Sequence, residues 1–249
     1  VADASIGVSL GAGIITARSD SATGGTISIT TDGGALTTPT LDALAHATTP
    51  NSTGPVALAR GGTITIQSLN SGTMNVDVAL TADTSALGGS GPIGGAALGG
   101  TVNLIADGGA LIFDGSAFLS ANARGGISTL AGSPGAAQAS GGRVNIRSTA
   151  TTGSQMALVT LIATANGQTV GFGEGNVYTT ESAANGQGGI VDMLMTGGLV
   201  SADQIILSAD GFGEAGSDGR GGTVTVRQTA GALTTNQFNA TANGTGGQS

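Results

Sequence analysis

The side chains that carry most enzyme chemistry are scarce in this sequence. It has no cysteine and a single histidine, His46, in Leu44-Ala45-His46-Ala47. A Ser-His-Asp arrangement would have to use that one imidazole, and the local pattern places it at an outward or corner position. One histidine without cysteine leaves no ligand set for a transition metal. The basic residues are all arginine (Arg18, Arg60, Arg124, Arg143, Arg147, Arg220 and Arg227), so the lysine of a Walker-type phosphate loop is missing. Gly171-Phe172-Gly173-Glu174-Gly175 is a weak signal in a chain with 47 glycines. The densest acidic stretch holds Asp210, Glu214 and Asp218 among turn residues. Calcium takes about six to eight oxygen ligands and favours such loops, so these three are the candidate metal ligands. The competing reading is solvated loop acids, or pairing with Arg220. The nonapeptide pattern of calcium-binding β-rolls is absent.

Other chemistries fare no better. Carbohydrate-active β-folds need clustered acids and aromatic platforms. The aromatics here are Phe113, Phe118, Phe172, Tyr178, Phe212 and Phe238, half of them in or beside strands, where a core role is expected. No pair of acids recurs at one repeat position. A flat Thr-x-Thr face of the ice-binding type is broken by Arg143 and Ile190, and β-propensity accounts for the threonines. Sequons at Asn51, Asn239 and Asn243 are expected by chance in a chain so rich in Asn, Ser and Thr. The net charge of −8 argues against a nucleic-acid partner or an anionic lipid surface. No apolar run is long enough for a membrane-spanning helix.

The elements that would position any site are far clearer. Six copies of a glycine pair each precede an alternating polar–apolar run: Gly24-Gly25-Thr26-Ile27-Ser28-Ile29, then equivalents starting at Gly61, Gly99, Gly141, Gly188 and Gly221. The second and fourth residues after each pair are apolar, which is the period of a β-strand with one buried face. Ile27, Ile64, Val102, Val144, Val191 and Val224 are expected to form one inner column. Ile29, Ile66, Leu104, Ile146, Met193 and Val226 should form the next. The glycines mark a corner that needs positive φ or close backbone contact. Each repeat then carries another glycine (Gly34, Gly72, Gly109, Gly153, Gly198, Gly231) and an alanine-rich strand such as Val78-Ala79-Leu80-Thr81-Ala82. Alanines imply a narrow cross-section there. Gly/Ser/Asn-rich connections such as Thr48 to Arg60 absorb the length variation and read as surface loops.

The pair-to-pair spacings are 37, 38, 42, 47 and 33 residues, the scale of a solenoid or array. Frequent glycine disfavours helix by about 1 kcal/mol per interior position relative to Ala. A propeller blade would need four comparable strands per repeat. The expectation is an all-β parallel β-helix spanning 1–249 as one domain, each repeat of about 38 residues divided into two coils of about 19. About thirteen coils would make a rod roughly 60 Å long. The chain starts and stops inside the pattern, which reads as a processed product or a segment of something longer.

Gly-Gly-Thr-Val/Ile strands, Leu-x-Ala-x-Ala strands and Gly/Ser-rich loops along the whole chain resemble the filamentous-haemagglutinin-like bacterial exoproteins and adhesins. That resemblance implies a right-handed helix, secretion to the cell surface through a partner outer-membrane transporter, and a non-enzymatic role as the shaft or polymerising subunit of a surface fibre. The partners it suggests are other copies stacked end to end, and environmental or host surfaces and their glycans. A carbohydrate-binding or carbohydrate-active β-helix is the alternative, with ice binding behind it. No cofactor beyond the calcium candidate is expected.

Overall fold

The structure is a computed structural model that describes residues 8–11, 21–51, 58–92, 94–127, 138–149, 153–169, 185–213 and 218–246. Among these residues there is no helix, and the strands form three parallel sheets. The large sheet holds β1 (Val8–Gly11), β3 (Thr26–Asp32), β4 (Ala35–Leu44), β7 (Thr63–Leu69), β8 (Thr73–Asp83), β11 (Thr101–Asp107), β12 (Ala110–Ser120), β15 (Arg143–Ser148), β16 (Gln155–Thr164), β19 (Ile190–Ser208) and β22 (Thr223–Thr241). A second sheet is built from β2 (Ser21–Thr23), β6 (Leu58–Arg60), β10 (Ala96–Leu98), β14 (Ala139–Ser140), β18 (Gly186–Gln187) and β21 (Gly219–Arg220). The third contains β5 (Ala47–Thr48), β9 (Ala86–Leu87), β13 (Ala123–Arg124), β17 (Gly167–Gln168), β20 (Gly211–Phe212) and β23 (Gly244–Thr245).

The expected inner columns are the observed register. Ile27 pairs with Ile64, Ile64 with Val102, Val102 with Val144, Val144 with Val191 and Val191 with Val224. Partners therefore lie 37 to 47 residues apart through most of the stack, and 33 at its end. This corrects the 19-residue coil. One whole repeat makes one turn, because each apolar stretch pairs only with its own equivalent in the next repeat. The two long stretches of a repeat are successive walls of the same coil. In β19 and β22 they run on as one strand, with register irregularities between Met195 and Leu199. Six rungs then span roughly 25–30 Å, about half the expected height.

Two stretches read separately in the sequence are also one element. Gly34-to-Thr38 and the alanine-rich run fuse into β4, whose register slips between Thr38 and Thr40, and β12 slips likewise between Phe113 and Ser116. Positive φ is found at Gly33, Gly108, Gly153, Gly198 and Gly231, in the tight turn between the two walls. In the second repeat Asn70 (φ 48) and Ser71 (φ 65) make that turn instead.

The paired glycines do something else. The backbone N–H of Gly62 donates to Ala45 O (2.7 Å), Gly100 to Thr84 O (2.9 Å), Gly142 to Ala121 O (2.7 Å), Gly189 to Ala165 O (2.6 Å) and Gly222 to Ala209 O (2.7 Å). A Cβ on Gly61 would overlap Thr84 O, and one on Gly100 would overlap the carbonyl oxygen of Gly62. The coil is pinched to a waist where two backbones touch. On one side lies the main core, with Ile64, Ile66, Met74, Leu80, Leu104, Leu111 and Phe113 fully buried. On the other lies a separate small core of Ala22, Ala47, Ala59, Ala86, Ala97, Ala123 and Ala139. The alanines of this thin lobe are not those of the alanine-rich strands, where the narrow cross-section is expected from the sequence: Ala43, Ala82 and Ala163 lie in the main core beside the large side chains.

Candidate functional site

Where the main wall turns into the thin lobe, the outer surface is concave. Successive coils place polar residues one above another there. The third-sheet register (Ala47–Ala86–Ala123–Gly167–Gly211–Gly244) puts His46, Ser85, Asn122, Asn166, Asp210 and Asn243 immediately before equivalent residues. From Ser85 to Asn243 they form a hydrogen-bonded ladder. Asn122 Oδ1 accepts from Asn166 N (2.7 Å), and Asn166 Oδ1 accepts from Asp210 N (2.7 Å). Asn122 Nδ2 donates to Ser120 Oγ (2.9 Å) and Thr164 Oγ1 (3.0 Å).

Asp210 is the most enclosed member, with 9% of its surface exposed. Its carboxylate accepts from Ser208 Oγ (2.6 Å), Thr241 Oγ1 (2.9 Å) and Asn243 N (2.6 Å). Burial pushes the carboxyl pKa up, but the three donors outweigh it and hold the group below its ordinary value. Ser208 Oγ also lies 2.7 Å from Asn166 Oδ1, so one hydroxyl proton faces two acceptors, and the charged one is favoured. Two of the three donors to Asp210 come from the last coil, so this carboxylate ties that coil to the one before it.

Of the proposed calcium set, Asp210 and Asp218 lie among the described residues. Asp210 has its oxygens engaged within the ladder. Asp218 adjoins the second sheet, where its N–H donates to Asn185 Oδ1 (3.3 Å) and its carbonyl accepts from Gly186 N (3.0 Å). Glu214 and Gly171-to-Gly175 lie outside the described residues. Among the described residues no three His, Asp or Glu side chains are grouped to hold a metal.

Ser85, Asn122 and Asn166 of the ladder floor a groove of about 500 Å³ that is also lined by His46, Asp83, Leu87, Arg124, Gln168 and Phe212, among others. Thr48, Leu87, Arg124, Gln168 and Phe212 stack in register along its outer wall. Leu87 (42% exposed) and Phe212 (38%) are unusually open for apolar residues. Arg124 is exposed, and its guanidinium has no ion pair or hydrogen bond among the described residues. Phe113 is core as expected, but Phe118 faces out, and Phe238, though at an inner register position opposite Ile205, is 44% exposed on the last rung. The groove had a readable signal: a polar residue directly before a small one (His46-Ala47, Ser85-Ala86, Asn122-Ala123, Asn166-Gly167, Asp210-Gly211, Asn243-Gly244) recurs once per repeat.

No protein-family model, no curated protein and no solved structure matches this chain.

The opposite outer face carries a second ladder. Asn103 Nδ2 donates to Thr65 Oγ1 (3.2 Å), Asn145 Nδ2 to Asn103 Oδ1 (2.7 Å) and Arg143 Nε to Asn145 Oδ1 (2.7 Å). Arg143 also bridges to Asp192 at 3.3 Å. The outward Thr, Asn and Arg side chains are thus spent on one another along the axis.

Proposed function

We propose that the chain is a structural element, the shaft or repeating subunit of an extracellular bacterial surface fibre of the filamentous-haemagglutinin-like kind, with no catalytic role. The observation that carries this reading is the unbroken parallel register, in which every repeat stacks on the next through the same two apolar columns. A stack of this kind is extended by adding coils, and stiffness grows with their number. The helix is assigned a right hand, which parallel crossovers of this type almost always take. Among the described residues β22 pairs with β19 alone, and Val226 (40% exposed) and Phe238 lie open on it. In the fibre that edge is covered by a further coil, from a second copy or from a longer chain. Electron microscopy of the native material tests the reading. Fibres whose axial repeat matches one copy identify a polymerising subunit, and single long rods on cells identify a slice of a shaft. Compact particles that neither stack nor extend would refute both.

A further inference from the structure

We infer that the groove along the third sheet is a docking site for an extended peptide segment carrying one acidic side chain between two apolar ones. The inference stands on the groove alone and does not require the fibre reading. Arg124 is the cation of the groove, exposed and unpaired among the described residues. Leu87 lies one coil to one side of it, and Phe212 two coils to the other, in strict register. At about 4.8 Å per coil, Leu87 and Phe212 are roughly 14 Å apart. An extended peptide rises about 3.4 Å per residue with alternate side chains on one face, so residues i and i+4 are also roughly 14 Å apart, with i+2 between them. The pattern apolar-x-acid-x-apolar therefore sets its apolar side chains over Leu87 and Phe212 and its carboxylate within reach of the long Arg124 side chain.

Two further features refine the pattern. Asn166 Nδ2 and the Gln168 amide make no hydrogen bond among the described residues and can serve the carbonyls of a peptide backbone. Asp83, on the same coil as Leu87 with its carboxylate already accepting from Ser85 N (2.9 Å), repels a second acid, so the segment carries one. A glycan is the less favoured occupant because, among the described residues, Phe212 is the one phenyl ring that lines the groove for stacking.

The test is titration of the full chain with the capped peptide acetyl-Leu-Thr-Asp-Thr-Leu-amide, followed by NMR or calorimetry. The expected result is saturable binding that weakens by about tenfold or more with Asn in place of the peptide's Asp, and equally in Arg124→Gln, whose exposed position leaves the fold intact by circular dichroism. Phe212→Ser should weaken it independently. Absence of saturable binding at millimolar peptide would overturn the inference, as would equal binding of the Asn peptide or no effect of Arg124→Gln. Saturable binding of oligogalacturonate in preference to the peptide would overturn it in favour of a carboxylated glycan.

Discussion

Glycine at the waist is required by contact rather than by dihedral angle. Gly100 has an ordinary φ, yet a methyl group on it would meet Gly62 O, Gly61 C and Gly62 N, all backbone atoms with no rotamer to yield. Gly100→Ala should destabilise the fold by about 3 kcal/mol, the upper range of overpacking, as measured by denaturant titration. At Gly34, where nothing lies within 4 Å, alanine should be close to neutral. Asp210 gives a different test. Its folded pKa is lowered, so its contribution is complete above the unfolded value near 3.8 and is lost as pH falls through the lower folded value. Below about pH 4 the wild type should lose stability relative to Asp210→Asn, whereas at pH 7 the variant is the weaker by about 1–3 kcal/mol. Thermal melts at both pH values check the crossover. The sequence placed Asp210 in a loop cluster because its neighbours are turn residues. Apart from Ser208, two residues away, the partners that claim it come from 31 to 44 positions along the chain, beyond any local pattern.

At the scale of strands, the inner columns were legible to the residue. A glycine pair followed by period-two alternation fixes both the face and the starting point, and Ile27-to-Val224 pair as the alternation demands. The coil length was not legible. Each repeat holds two apolar stretches of similar character, so halving it looked natural, and only main-chain pairing shows that the halves never stack. The slip near Pro39 also hid the unity of β4, since it breaks the alternation midway. The short strands of the thin lobe hold two or three residues each and leave no periodicity to find. The stack predicts a graded response to truncation. Leu111→Ala, fully buried in the middle of the main core, should cost about 2–5 kcal/mol, and Val226→Ala, on the last rung, well under half of that, by the same denaturant titration.

For the molecule as a whole, stability is close to a sum over coils and their interfaces, because each coil touches only its neighbours. The two cores share no buried member, and the backbone contacts of the waist join them. In mechanical terms the cross-section has two flanges and a web. Strands run across the stacking axis, so a force applied to the chain ends opens ladder bonds from one end in sequence instead of shearing all of them together. A single-molecule pulling trace should then be a sawtooth, and its teeth should differ in a readable way. Each coil releases one repeat, 33 to 47 residues, or roughly 110–170 Å of extended chain. The uneven repeat lengths that disturb the periodicity of the sequence would thus serve as a barcode, giving the order in which the coils let go.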